Sequence, residues 1–161
     1  MIIALGADHA GYELKVFLSE HLRGLGFETL DFGAQSEAPY DYPDAAFAVA
    51  EAVSKGAAHR GICVCGTGIG MAIAANKVPG VYAAACNNEE LAVISRKHND
   101  TNVLTLGARI VSHEMALRIV RTWIHTEFEG ERHDVRIQKI RRIESDQGCR
   151  TNYQGKATIC D

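Results

Sequence analysis

Gly61-Ile62-Cys63-Val64-Cys65-Gly66-Thr67-Gly68-Ile69-Gly70 decides the fold, because an unbroken apolar run passes directly into glycines at alternate positions. A short continuous apolar run is the pattern of a strand buried on both faces. The glycines allow a tight turn, and the alanine-rich stretch that follows, to about Lys77, predicts a helix.

The same alternation extends in both directions. Upstream, Ile2 to Leu5 reads as a strand ending in Gly-Ala-Asp-His, and Leu14, Phe17, Leu18, Leu22 and Leu25 lie at helical spacing before Gly26. Phe27 to Phe32 reads as a second strand, and Asp44 to Ser54, opened by Pro43, as a helix. Downstream, Val81 to Cys86 predicts a fourth strand, Glu89 to His98 a helix and Asn102 to Leu106 a fifth strand. A helix then begins at Ser112, a side chain suited to capping it, and runs to about Thr126. Strands alternating with helices imply a parallel sheet covered on both faces. The expected fold is therefore α/β: a three-layer Rossmann-like arrangement with a five-stranded parallel sheet and a C-terminal helix. In that helix Arg132, Arg136 and Lys139 share one face, and Ile137, Ile140 and Ile143 another that should pack on something.

With 161 residues, 47% of them hydrophobic, the chain can bury one substantial core, so a single domain over residues 1–144 is expected, with 145–161 a flexible tail. A net charge of −3 provides no broad basic field, which argues against a nucleic-acid partner but leaves room for a small anion. The absence of a long apolar run and of a leader pattern predicts no membrane partner and a cytoplasmic location. Five cysteines, an odd number, suit a reducing compartment; Cys149 and Cys160 are expected to be bystanders.

In an open parallel sheet, ligands bind beyond the carboxyl ends of the strands. Asp8-His9, Cys65 with its glycine loop, and the residues after the fifth strand should arrive there. The loop brings backbone N–H groups close to an anion, although its glycine spacing departs from the dinucleotide fingerprint and no Walker lysine follows. Cys65 stands at a strand end before a helix, a position that favours a thiolate; a buried strand cysteine is equally a packing residue. Cys63 is expected to be such a packing residue, on the face opposite Cys65, and the pair is not expected to hold a metal. His98 near a helix C-terminus, His9 beside Asp8, and Arg132 with Arg136 each have an ordinary reading as dipole, capping or solvated groups.

Together the motifs say more. Gly6-x-Asp8-His9-Ala10-Gly11, Asp41-Tyr42-Pro43, Cys65-Gly66-Thr67-Gly68-Ile69-Gly70-Met71, Ala74-Ala75-Asn76-Lys77, Ser95-Arg96-x-His98-Asn99-Asp100 and Arg132-His133-x-x-Arg136 resemble ribose-5-phosphate isomerase type B. That family includes the galactose-6-phosphate isomerase subunits and related tetrose- and hexose-phosphate isomerases, and the resemblance runs from residue 2 to about 144. It implies an aldose–ketose isomerase of a phosphorylated sugar, with no metal or organic cofactor, working as a homodimer or dimer of dimers with sites shared between subunits. It implies Cys65 as the catalytic base, the other branch's glutamate being replaced here by Met71, and His98 as the ring-opening acid. Asp8 and Asn99 match contacts to sugar hydroxyls and enediolate, Tyr42 a residue flanking the sugar, and His9, Arg109, Arg132 and Arg136 phosphate ligands. The backbone of Gly66, Gly68, Ile69 and Gly70 would hold the developing oxyanion, with Thr67 orienting the thiol or relaying a proton. A tetrose phosphate or galactose or allose 6-phosphate remains an alternative substrate, and a non-catalytic sugar-phosphate-binding module an alternative of another class.

Overall fold

The computed structural model describes residues 1–148. Five strands, β1 (Ile2–Ala7), β2 (Glu28–Gly33), β3 (Arg60–Cys65), β4 (Ala83–Ala85) and β5 (Val103–Gly107), form one parallel sheet in the order β2-β1-β3-β5-β4. Six helices accompany them: α1 (Tyr12–Gly24), α2 (Tyr42–Ser54), α3 (Ile69–Ala75), α4 (Glu89–Asn99), α5 (His113–His125) and α6 (Arg132–Gly148). The expected three-layer fold is the one observed.

Side chains alternate across each central strand and so feed two separate apolar layers. Ile3 and Leu5 of β1, Ile62 and Val64 of β3, and Leu104 and Leu106 of β5 meet Leu18 and Leu22 of α1, Ala92 of α4 and Trp123 of α5. Ala4, Cys63, Cys65 and Val103 face the other way, onto Ala46, Val49 and Ala50 of α2 and Met71 and Ala75 of α3. Cys63 and Cys65 thus share a face, and the expectation that they point apart is corrected, since residues two apart on a strand must lie on one side.

Several elements differ in extent from the sequence reading. The helix after the glycine loop stops at Ala75, and β4 keeps only three residues. Both limits trace to Asn76, whose Nδ2 donates to Ala83 O and whose Oδ1 accepts from Ala83 N, each at 2.8 Å. This amide ends α3 and satisfies the outer edge of β4, the job a further strand would otherwise do. Of the three isoleucines of α6 only Ile137 is buried; Ile140 and Ile143 stay exposed, so the second apolar face finds no cover among the described residues. Helix α6 continues through Gly148, into the expected tail, while Cys149, Cys160 and the rest of that tail lie outside the described residues.

Candidate active site

At the carboxyl edge of the sheet, β1 and β3 end side by side. Asp8 N donates to Val64 O at 3.2 Å, and the Asp8 carboxylate, itself buried, accepts from Gly11 N at 2.9 Å, capping the short 3-10 turn His9–Gly11. Next to it Cys65 closes β3, and its Sγ accepts from Gly68 N at 3.1 Å. That bond requires the loop to double back, and Gly68 makes this possible with φ +79° and a Cα against the backbone of Leu106, where a Cβ would come within 3.0 Å. Thr105 Oγ1 donates to Gly68 O at 2.8 Å, fixing the loop from below.

Several other candidates gather around this loop. The Arg109 side chain passes over Gly66, 3.4 Å from the position a Cβ would take, held there by Arg109 N donating to Gly66 O at 3.1 Å. The Tyr42 ring lies against Gly70, where a Cβ would approach it to 2.7 Å, so the glycine admits the ring. His9 is exposed, its Nδ1 3.3 Å from Tyr40 O. Beyond Thr67 a cavity of about 300 Å³ opens, lined by Thr67, Ile69, Cys86, Asn87, Thr105 and Ile110. The edge therefore offers one sulfur, one carboxylate, backbone donors and a guanidinium around a cleft.

His98, Asn99, Arg132 and Arg136 are elsewhere. Helix α4 leaves the carboxyl end of β4 and returns the chain to the start of β5, so its last residues lie at the amino edge. Eleven residues at about 1.5 Å each put His98 and Asn99 about 16 Å from the edge that carries Cys65. Asp100 there shares a polar cavity with His59, Arg60, Asn102 and Arg141, Arg60 being the first residue of β3. The buried Arg96 organises this end: its Nη1 donates to Asp100 Oδ1 at 2.9 Å and Thr101 O at 2.6 Å, and its Nε to Thr126 O at 3.2 Å. With Glu129 N donating to Lys97 O at 3.1 Å, the segment between α5 and α6 is docked on the end of α4.

That docking stacks His98 on the buried His133, ring centroids 4.3 Å apart and planes within 6° of parallel. Arg132 Nε donates to His133 Nε2 at 3.2 Å, and Arg136 Nη1 lies 3.4 Å from His133 Nδ1. Glu129 Oε2 stands 3.7 Å from Nε2 of His98 and 3.9 Å from Nε2 of His133. These three donors fall within 4.8 Å of one another, yet stacked parallel imidazoles cannot both aim in-plane lone pairs at one ion, and two guanidinium groups crowd the inner ring. The set is shaped for protons and anions. The phosphate clamp expected from Arg109, Arg132, Arg136 and His9 is accordingly divided in one chain, with Arg109 and His9 at one edge and the other two arginines at the opposite one.

Residues 3–140 match the family model described as Ribose/Galactose Isomerase. The chain belongs to the ribose/galactose isomerase family. It is 46% identical over 142 residues to ribose-5-phosphate isomerase B of Escherichia coli, covering 88% of this chain and 95% of that protein. It is 41% identical over 140 residues to the D-erythrulose-4-phosphate isomerase of Pectobacterium atrosepticum, covering 86% and 91% of the two. Among solved structures, ribose-5-phosphate isomerase B of Clostridium thermocellum superposes with a TM-score of 0.90 at 50% identity, covering 91% of this chain and 99% of that one. This member of the ribose/galactose isomerase family is an enzyme, an aldose–ketose isomerase of sugar phosphates. Among its described residues no helix is long and apolar enough to cross a membrane. Glu129 is not singled out by the sequence, and His133 only as a member of the Arg132-His133-x-x-Arg136 motif, with no role of its own. The i, i+4 spacing of Glu129 and His133, the latter between the two arginines, was the one signal that could have drawn attention to the pair.

Proposed function

We propose that this isomerase interconverts ribose 5-phosphate and ribulose 5-phosphate through an enediolate, with Cys65 as the base. The observation that carries the reading is the Cys65 sulfur held at 3.1 Å by Gly68 N–H, at a strand end where the loop's backbone donors, Asp8 and Arg109 converge. A pentose phosphate is largely a closed ring, so His98 first moves a proton between anomeric hydroxyl and ring oxygen. Cys65 then takes the C2 proton. A thiolate is a weak base for a carbon acid, and the step needs the negative charge gathering on oxygen to be met by fixed donors, here the N–H groups of Gly66 to Gly70 and Asn99. The protonated thiol returns the proton to C1, giving the ketose, with Thr67 orienting the sulfur or relaying a proton on oxygen. Tyr42 flanks the sugar, and Asp8 holds its hydroxyls.

The phosphate does not react. Gripped by His9, Arg109, Arg132 and Arg136 through charge-assisted bonds, it fixes the reacting carbons at Cys65 and lowers the entropic part of the barrier. Because one chain keeps His98, Arg132 and Arg136 at the edge opposite Cys65, the complete site is formed between two copies, the amino edge of one meeting the carboxyl edge of the other. Exposed apolar side chains on the helices beside the loop, Phe47 at 53%, Ile69 at 60% and Ile73 at 59% exposure, support such a contact. No metal or organic cofactor takes part, and the setting is the cytoplasm.

Turnover of ribose 5-phosphate in chelator, run beside erythrulose 4-phosphate and six-carbon phosphates, tests the proposal. Preference for ribose 5-phosphate is expected. Faster turnover of another sugar would reassign the substrate, a possibility given weight by the erythrulose-phosphate relative. No turnover of any would favour a binding module.

A further inference from the structure

His98 is one ring of a stacked pair. The other, His133, is 3% exposed and takes the Arg132 Nε–H at its Nε2, with Arg136 Nη1 3.4 Å from its Nδ1. Burial, and then His98, Arg132 and Arg136, hold His133 below the usual imidazole range, with Glu129 opposing. Of the two stacked rings, the inner one is therefore the poor place for a proton. The outer ring, 37% exposed at its side chain, has Glu129 Oε2 3.7 Å from its Nε2, an ionic approach longer than a hydrogen bond. No other carboxylate forms an ion pair with either ring among the described residues.

We propose that Glu129 and His133 are positioning residues for ring opening, His133 fixing the plane of the His98 ring by stacking and Glu129 holding its Nε2 edge as counter-ion. The inference rests on the reading of His98 given above and extends it to two side chains that touch no substrate. In the step they serve, the His98 imidazolium gives its proton to the ring oxygen as the bond from that oxygen to C1 breaks. The anomeric hydroxyl then loses its proton to the imidazole as C1 becomes a carbonyl, so no proton is gained or lost overall. A ring free to rotate would meet the two oxygens less often, whereas the proton removal at C2 by Cys65 would be untouched.

This separation provides the test. Ribulose 5-phosphate cannot close a five-membered ring through its phosphorylated C5, so exchange of its C1 hydrogen with D₂O needs the enediolate step but no ring opening. Ribose 5-phosphate turnover needs both. Glu129→Gln, at a half-exposed side chain, and His133→Gln, which keeps an acceptor for Arg132, are compared with the unaltered enzyme in both assays. The expected result is a fall of about tenfold or more in kcat on ribose 5-phosphate. Exchange into ribulose 5-phosphate should stay within about twofold, with little change in KM. Equal losses in the two assays, as from a structural role, or no loss in either would overturn the proposal. If His133→Gln does not fold, Glu129→Gln alone decides. If the unaltered enzyme neither isomerises the pentose nor exchanges the ketose, the reading of function fails instead.

Discussion

Cys63 and Cys65 lie on the same side of β3, but only Cys65 reaches the edge where the glycine loop turns. Cys63 is fully enclosed, and burial, with a smaller contribution from Cys65, pushes its thiol well above the ordinary range. It is a packing group. Cys65→Ala should leave a folded protein whose turnover falls by several orders of magnitude, whereas Cys63→Ala should keep near-normal turnover and lose about 1 kcal/mol of stability. Turnover and thermal melting of the two variants check this. That Cys65, rather than Cys63, adjoins the glycine loop was legible in the sequence. The side on which Cys63 lies was misjudged, although the two-residue period of a strand already contained it.

At the scale of elements, the unit that matters is β3, its loop and α3. Gly68 adopts a left-handed backbone against Leu106, so Gly68→Ala should cost about 1–2 kcal/mol from backbone geometry alone. It should also displace the N–H that holds the Cys65 sulfur, so a lower melting temperature accompanied by a fall in kcat is expected. Unchanged melting would show that the loop tolerates a side chain there. Strands and helices were legible from period and turn residues, because apolar alternation and glycine placement are local properties. The shortened β4 and α3 were not, since Asn76 ends both through bonds to a strand seven residues further on. The stack of His98 on His133 was equally hidden, because it depends on Arg96 and on the docking of the segment after α5.

Across the whole molecule, two buried thiols make a pH prediction. Burial raises both Cys63 and Cys86, so the folded protein keeps protons that the unfolded chain releases above about pH 8.5. The unfolded state then binds fewer protons, and stability falls as pH rises, by up to about 1.4 kcal/mol per pH unit for each thiol. Denaturant midpoints from pH 8 to 10 should decline less steeply in Cys63→Ala than in the unaltered protein. The same scale contains the division of the proposed site between two edges of one sheet. Sequence motifs could collect its residues but could not say that a single chain keeps them apart. The most direct measurement mixes two inactive variants, Cys65→Ala and His98→Asn, by unfolding and refolding them together, then follows ribose 5-phosphate turnover. If the site forms between two copies, half of a random mixture is hybrid with one intact site each, so about a quarter of normal activity should return. Activity no greater than that of the separate variants would contradict a site built from Cys65 of one copy and His98 of another.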